Sequence, residues 1–120
     1  MTLAEFQELA ARTSGQDRSK KLHYLTISAL GIAGEAGEVA DLIKKEVGHG
    51  QTYDETKFVK ELGDVLWYVA DLCTLRGISL EEVARVNIEK LRKRYPDGFT
   101  TAASVARVDE RPAVRTTRKK

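Results

Sequence analysis

Cysteine is almost absent from this sequence, since Cys73 is the only one among its 120 residues. A single cysteine cannot form a disulfide within the chain, which fits a protein of the reducing cytoplasm. The sequence also lacks any apolar run near the ~20 residues that a membrane span requires. The N-terminal stretch contains acidic residues and no apolar core. We therefore expect no secretory leader, no membrane partner and a cytoplasmic location.

Neither sign of charge dominates most of the chain. Residues 1–96 contain 14 basic and 15 acidic residues, whereas residues 97–120 contain six and three. A near-neutral body argues against a duplex-DNA binder, which would need a basic face. The length suffices for one domain. We predict that this domain covers residues 1–99 and that a basic, flexible C-terminal tail covers residues 100–120.

Apolar residues recur at every third or fourth position in four segments, and no segment alternates convincingly with a period of two. This pattern predicts helices at about 2–13, 18–47, 54–76 and 79–94. Glycines in the middle of the second segment cost ~1 kcal/mol each relative to alanine, so a kink or a break is expected there. Short connections favour antiparallel neighbours, and we predict an all-α fold of the four-helix-bundle type. A domain this small also favours assembly into a dimer or a tetramer.

Two pairs of acidic residues lie within segments that otherwise look suited to burial. The second segment contains Glu35 and Glu38, and the third contains Glu61 and Asp64. Residues three apart lie on one face of a helix, so each pair points in one direction. If the two helices are antiparallel neighbours, four carboxylates meet in one cleft and repel one another. Mg²⁺, with its preference for oxygen ligands, would relieve this repulsion, whereas the sequence has no Cys/His pattern for zinc.

A solvated helix face is the alternative explanation for these acids, and it is the usual one for acidic residues at helical spacing. Three features of the sequence weigh against it. The first pair is flanked by Ile32, Ala33, Ala36 and Val39, the second pair adjoins apolar residues as well, and the same spacing occurs twice. On the residues alone, the metal site and the solvated face are equally supported.

Three sequence blocks resemble, in order and spacing, the MazG-like nucleotide pyrophosphohydrolases of the all-α NTP pyrophosphatase superfamily. The blocks are LGIAGEAGEVADLIKKE, KELGDVLWYVADLC and NIEKLRKRYPDGF, and the resemblance covers about residues 20–99. It implies hydrolysis of nucleoside triphosphates, often deoxy or non-standard ones, to a nucleoside monophosphate and pyrophosphate. It also implies a pool-cleansing role and a homodimer or homotetramer whose sites can draw on more than one subunit.

The resemblance also assigns roles to individual residues. Mg²⁺, with Mn²⁺ as a substitute, would be held by Glu35, Glu38, Glu61 and Asp64. The third block would supply substrate-binding groups, namely Asn87, Lys90, Arg94 and Tyr95.

Chemical reasoning adds further expectations for single residues. A carboxylate that is not fully used as a ligand can accept a proton from the attacking water; Glu38 is the first choice for this base and Glu35 the second. Lys90 and Arg94 share a helix face and could hold phosphate oxygens. Trp67 could stack on the nucleobase, although packing within the protein is the more common role for such a residue.

Other roles for nearby residues, and for the whole chain, stay open at this point. Asp41 and Asp71 could be outer metal ligands or exposed charges, and Lys45 could reach phosphate or be solvated. The chain could instead be a phosphoribosyl-ATP pyrophosphatase, an enzyme of similar size in the same superfamily. It could also be a non-enzymatic helical assembly module whose basic tail binds an acidic partner.

Overall fold

The protein is all-helical in the computed structural model, which describes residues 1–15 and 17–112. In chain order the helices are α1 (Leu3–Ala11), α2 (Lys21–His49), α3 (Glu55–Arg76), α4 (Leu80–Arg94) and α5 (Thr101–Ala106), with short 3₁₀ helices at Arg18–Lys20 and Val108–Glu110. The all-α prediction is confirmed, since the described ranges contain no strand. The four predicted segments match α1 to α4 with small differences at their ends.

Local sequence signals determine where the main helices begin and end. Thr2 and Glu5 form a reciprocal capping box at the start of α1, in which each side chain accepts a hydrogen bond from the other residue's backbone N–H. Asp54 caps α3 by accepting from the backbone N–H of Lys57 at 3.0 Å. Gly50 and Gly77 follow α2 and α3 in the left-handed conformation, with φ of 64° and 69°. Glycine adopts this conformation without the steric penalty of a Cβ atom.

Helix α2 is continuous over its 29 residues, so its glycines do not break it. Gly31 has a packing role that explains its presence. A Cβ atom built there would lie 2.3 Å from Cε1 of Tyr68, far inside van der Waals contact. The glycine therefore admits the Tyr68 ring against the backbone of α2. A Cβ at Gly34 or Gly37 would meet no atom within 4 Å.

Residues 1–81 form one compact unit in which α3 packs against both α2 and α1. Contacts between α2 and α3 run in opposite order along the two helices, so the helices are antiparallel as predicted. The buried apolar core is small and consists of Ala10, Ala70, Cys73 and Leu80, with Phe6, Trp67 and Val69 packed around it. None of the helices in the described ranges is long and apolar enough to cross a membrane.

From Glu82 onward, the described residues form a second compact unit. Within it, Asp109 accepts hydrogen bonds from the Arg94 guanidinium at 2.6 and 2.7 Å. Within the predicted tail, residues 101–106 form α5, whose cap Thr100 accepts from the backbone N–H of Ala103 at 3.0 Å. The ion pair and this cap explain the order of a stretch that lacks large apolar residues. Residues 113–120 lie outside the described residues, and the division between domain and tail stays a prediction.

Candidate metal and nucleotide site

Three of the four predicted metal ligands come together between α2 and α3. Glu35, Glu61 and Asp64 each offer a carboxylate oxygen, and these three oxygens lie within 4.8 Å of one another. Glu35 and Glu61 are half-buried and Asp64 is exposed. The antiparallel packing of the two helices produces this cluster from residues that are distant in sequence.

The cluster is electrostatically unfavourable for Glu35. Partial removal from water raises the pKa of this carboxyl, and repulsion by Asp64, Glu61 and Glu38 raises it further. A cation among the carboxylates would reverse the sign of this field and favour the ionised forms.

The donor set fits a hard divalent cation. All three side chains supply oxygen, and the cluster contains neither histidine nor cysteine. Mg²⁺ takes oxygen ligands and is usually bound by one or two carboxylates, with waters and substrate phosphates in its remaining positions, so the cluster offers enough carboxylates for it. Glu38 is exposed and stands outside the group of three, although it is close enough to contribute to the pKa shift of Glu35.

Asp41, one of the residues whose role was open, is neutralised by neighbouring lysines. Its two carboxylate oxygens lie 2.6 Å from Lys44 Nζ and 2.5 Å from Lys45 Nζ. Hydrogen bonds from Lys44 and then Lys45 lower the pKa of Asp41 to about 2. The two lysines therefore direct their charge at Asp41, and Asp41 is not among the three clustered carboxylates.

Asp71 is not an exposed charge, because it is only 3% exposed. Its carboxyl oxygen Oδ2 accepts a hydrogen bond of 2.5 Å from the Ser28 hydroxyl, and Ser28 is 1% exposed. The sequence reasoning missed Ser28. The signal that could have identified it is its position seven residues before Glu35, which places both residues on the same face of α2.

Trp67, proposed from the sequence for base stacking, has partners within residues 1–81. Its indole N–H donates to Thr13 Oγ1 at 2.7 Å, and its ring meets Tyr68 edge-to-face at 4.9 Å between centroids. Trp67 also packs against the buried core. These contacts match the packing role that was the alternative for this residue.

The remaining predicted substrate residues lie on α4 and just after it, in the second unit. Asn87 and Lys90 are exposed. The Arg94 side chain is only 12% exposed and is bound to Asp109, whose side chain is 2% exposed. Tyr95 shares a hydrogen bond with Ser104, which is the main cause of a lowered pKa for its phenol. Arg94 and Tyr95 thus bind the C-terminal segment of their own chain.

A cleft beside the carboxylates was not identified from the sequence. It has a volume of about 240 Å³ and lies at the connection between α2 and α3. Phe58 in its wall is three residues before Glu61, so the cleft begins about one helical turn from the cluster. The aromatic rings of Tyr53 and Phe58 lie 5.9 Å apart. The lining residues are Leu42, Lys45, Glu46, Gln51, Thr52, Tyr53, Asp54, Lys57 and Phe58.

Comparison with known proteins places this chain in a family. Residues 25–99 match the family model of the MazG nucleotide pyrophosphohydrolase domain. The chain is 37% identical to the Gene 37 protein of Mycobacterium phage L5 over 86 residues, which cover 68% of this chain and 73% of the phage protein. It is 33% identical to the uncharacterized protein YvdC of Bacillus subtilis strain 168 over 70 residues, which cover 51% of this chain and 66% of YvdC. No solved structure matches significantly. The chain belongs to the MazG nucleotide pyrophosphohydrolase domain family, as its acidic pairs and its third block indicated.

Proposed function

We propose that this protein is a Mg²⁺-dependent nucleoside triphosphate pyrophosphohydrolase. It would use one water to cut the bond between the α and β phosphates, and it would release a nucleoside monophosphate and pyrophosphate. The observation that carries the proposal is the convergence of Glu35, Glu61 and Asp64 oxygens within 4.8 Å of one another in a MazG-family chain. Family membership supports nucleotide hydrolysis in general, and the cluster supports the dependence on a metal.

Different side chains would have different roles in this reaction. Glu35, Glu61 and Asp64 would hold Mg²⁺, which when bound neutralises phosphate charge and lowers the pKa of water. Glu38 is exposed next to the cluster and outside the group of three. It is therefore placed either to complete the metal site or to accept the proton that the attacking water loses. We assign the second role to Glu38 first and to Glu35 second.

Substrate binding would draw on two sets of residues. The cleft at the connection between α2 and α3 offers the cation Lys57 and the rings of Tyr53 and Phe58, whereas Lys45 in its wall is already paired with Asp41. It therefore has groups for both the charged and the flat part of a nucleotide. On α4 we assign phosphate contacts to Lys90, with Asn87 one turn before it, since both are exposed. We give Arg94, Tyr95 and Trp67 smaller parts, because contacts within the chain already engage their side chains.

The cellular setting follows from the same proposal. Deoxy or non-standard triphosphates are the expected substrates, with a pool-cleansing role in the cytoplasm.

We also propose a homodimer or homotetramer. Many large apolar side chains are exposed in this chain, among them Leu22 at 78% and Val47 at 80%, both on α2. A second copy packed on α2 would remove such surface from water at about 25 cal/mol per Å².

A substrate panel tests the proposed activity. Each common and several non-standard dNTPs and NTPs would be incubated with the protein in Mg²⁺ or in EDTA, and pyrophosphate and orthophosphate would be measured separately. We expect pyrophosphate in Mg²⁺ alone. Glu61→Gln should lose the activity, whereas Glu8→Gln, an exposed acid on α1, should keep it. No pyrophosphate from any triphosphate would refute the proposal, and orthophosphate in its place would show that another bond is cut.

A further inference from the structure

A buried polar pair joins the two helices that carry the clustered carboxylates. Ser28 on α2 and Asp71 on α3 are 1% and 3% exposed, and the hydroxyl donates to the carboxyl oxygen at 2.5 Å. Polar groups in a dry interior are costly unless they are hydrogen-bonded. The pair is thus a directional contact in an interface where apolar packing alone would tolerate small sliding movements.

The pair and the carboxylate cluster lie on the same faces of α2 and α3. Ser28 precedes Glu35 by seven residues, and Asp71 follows Asp64 by seven. Seven residues are close to two helical turns, or about 10.5 Å, so the side chains are stacked along one interface. The Gly31–Tyr68 contact lies between the Ser28–Asp71 pair and the carboxylate cluster.

This arrangement couples the hydrogen bond to the geometry of the cluster. A helix behaves as a stiff rod over two turns, so a slide or rotation of α2 against α3 at Ser28 also displaces Glu35. Glu35 is the ligand that α2 brings to two ligands of α3. Its distance from Glu61 and Asp64 therefore depends on the register between the helices.

We propose that Ser28 and Asp71 are positioning residues for the metal centre. Their hydrogen bond fixes the register of α2 against α3, so that Glu35 meets Glu61 and Asp64 at the spacing that a divalent cation needs. The proposal rests on the metal site of the proposed function, but it concerns cation binding, which can be measured without any nucleotide. Partners that hydrogen-bond a metal ligand directly change metal affinity about 10–100-fold when they are removed. The Ser28–Asp71 pair acts on the ligands through the helix register, so we expect an effect at the lower end of that range.

Mn²⁺ titration of the intact chain tests the proposal, with the melting temperature measured for every variant. Binding is measured well below the melting temperature, so that only folded protein contributes. Ser28→Ala should weaken Mn²⁺ binding about tenfold. Asp71→Asn keeps an oxygen that accepts from Ser28, and its affinity should stay within about threefold of the wild type. Thr74→Val is the matched control, because Thr74 lies one turn from Asp71 but bonds to Gln7 of α1 at 3.3 Å. It should lower the melting temperature and leave Mn²⁺ affinity unchanged.

Four other outcomes of the Mn²⁺ titration would overturn the proposal, each in a distinct way. Equal Mn²⁺ affinity in Ser28→Ala and the wild type would reduce the pair to a packing role. Equal losses in Ser28→Ala and Thr74→Val would show that affinity follows general stability. A much larger loss in Asp71→Asn than in Ser28→Ala would show that the carboxylate of Asp71, and not its bond with Ser28, sets the affinity. Wild-type protein that does not bind Mn²⁺ would remove the metal site altogether. If the expected Mn²⁺ pattern appears and no triphosphate is hydrolysed, the proposed activity fails and the positioning role stands.

Discussion

The contact between Gly31 and Tyr68 allows a quantitative prediction about how α2 packs on α3. In Gly31→Ala, the new Cβ atom would lie 2.3, 2.5 and 2.6 Å from three atoms of the Tyr68 ring. Comfortable carbon–carbon contacts are about 3.5–4.0 Å, so the ring or the helix has to move by about 1 Å or more. Overpacking of this kind costs about 1–3 kcal/mol.

Gly31→Ala also increases helix propensity, and this gain in stability has to be separated from the cost of overpacking. Alanine is favoured over glycine in a helix interior by ~1 kcal/mol. Gly34→Ala, one turn further along the same helix, has this gain alone, since its Cβ would meet no atom within 4 Å. We therefore expect Gly34→Ala to be up to ~1 kcal/mol more stable than the wild type. Gly31→Ala should be ~1–3 kcal/mol less stable than Gly34→Ala.

Urea and thermal unfolding, followed by circular dichroism at one protein concentration, measure this difference. One kcal/mol corresponds to a shift of about 4 °C in melting temperature for a domain of this size. In a Tyr68→Ala background the cost of Gly31→Ala should disappear, because the ring that it strikes is gone. If Gly31→Ala is as stable as Gly34→Ala, the close approach of ring and backbone does not exist in solution.

Three further predictions concern charge. The pKa of Glu35 is raised in the folded protein, so in the pH window between its ordinary and its raised pKa only the folded protein keeps this proton. The free energy of unfolding of the metal-free protein therefore falls as the pH rises through that window. Glu35→Gln should abolish that fall in a pH series of melts and should also abolish Mn²⁺ binding; an unchanged pH profile would contradict the shift. Arg94→Ala should lower the melting temperature at least as much as Asp109→Ala, because Arg94 also donates to Glu110 at 3.2 Å, and the double variant should lose little more than Arg94→Ala; additive losses would contradict the pairing of Arg94 with Asp109. Glu38→Gln should reduce kcat at least a hundredfold with circular dichroism and Mn²⁺ binding nearly unchanged; activity within threefold of the wild type would exclude it as the base.

Much of the fold could be predicted because it depends on signals local in sequence. The capping residues Thr2 and Asp54 and the terminal glycines Gly50 and Gly77 act within a few residues of their own positions. The recurrence of apolar residues at every third or fourth position then predicts that the residues between these ends are helical. Pairing of the acidic residues could also be predicted, since it needs only helical spacing and antiparallel neighbours.

Features that depend on contacts between distant residues could not be predicted. The apolar period of one helix predicts neither the burial of Asp71 nor its hydrogen bond with Ser28. The ion pair between Arg94 and Asp109 joins residues that are 15 apart in sequence. It depends on a turn after α4 that the apolar pattern does not predict. The cleft at the connection between α2 and α3 depends on the path of residues 51–54. In each case packing in three dimensions selects one of several roles that the sequence permits.

An anomalous diffraction map from crystals of this protein soaked in Mn²⁺ would test the central claim most directly. We predict a peak between α2 and α3 at about 2.1 Å from carboxylate oxygens of Glu35, Glu61 and Asp64, and no such peak in Glu61→Gln crystals. Three carboxylates directed into solvent with no ion among them, at Mn²⁺ concentrations that saturate the protein in solution, would contradict it.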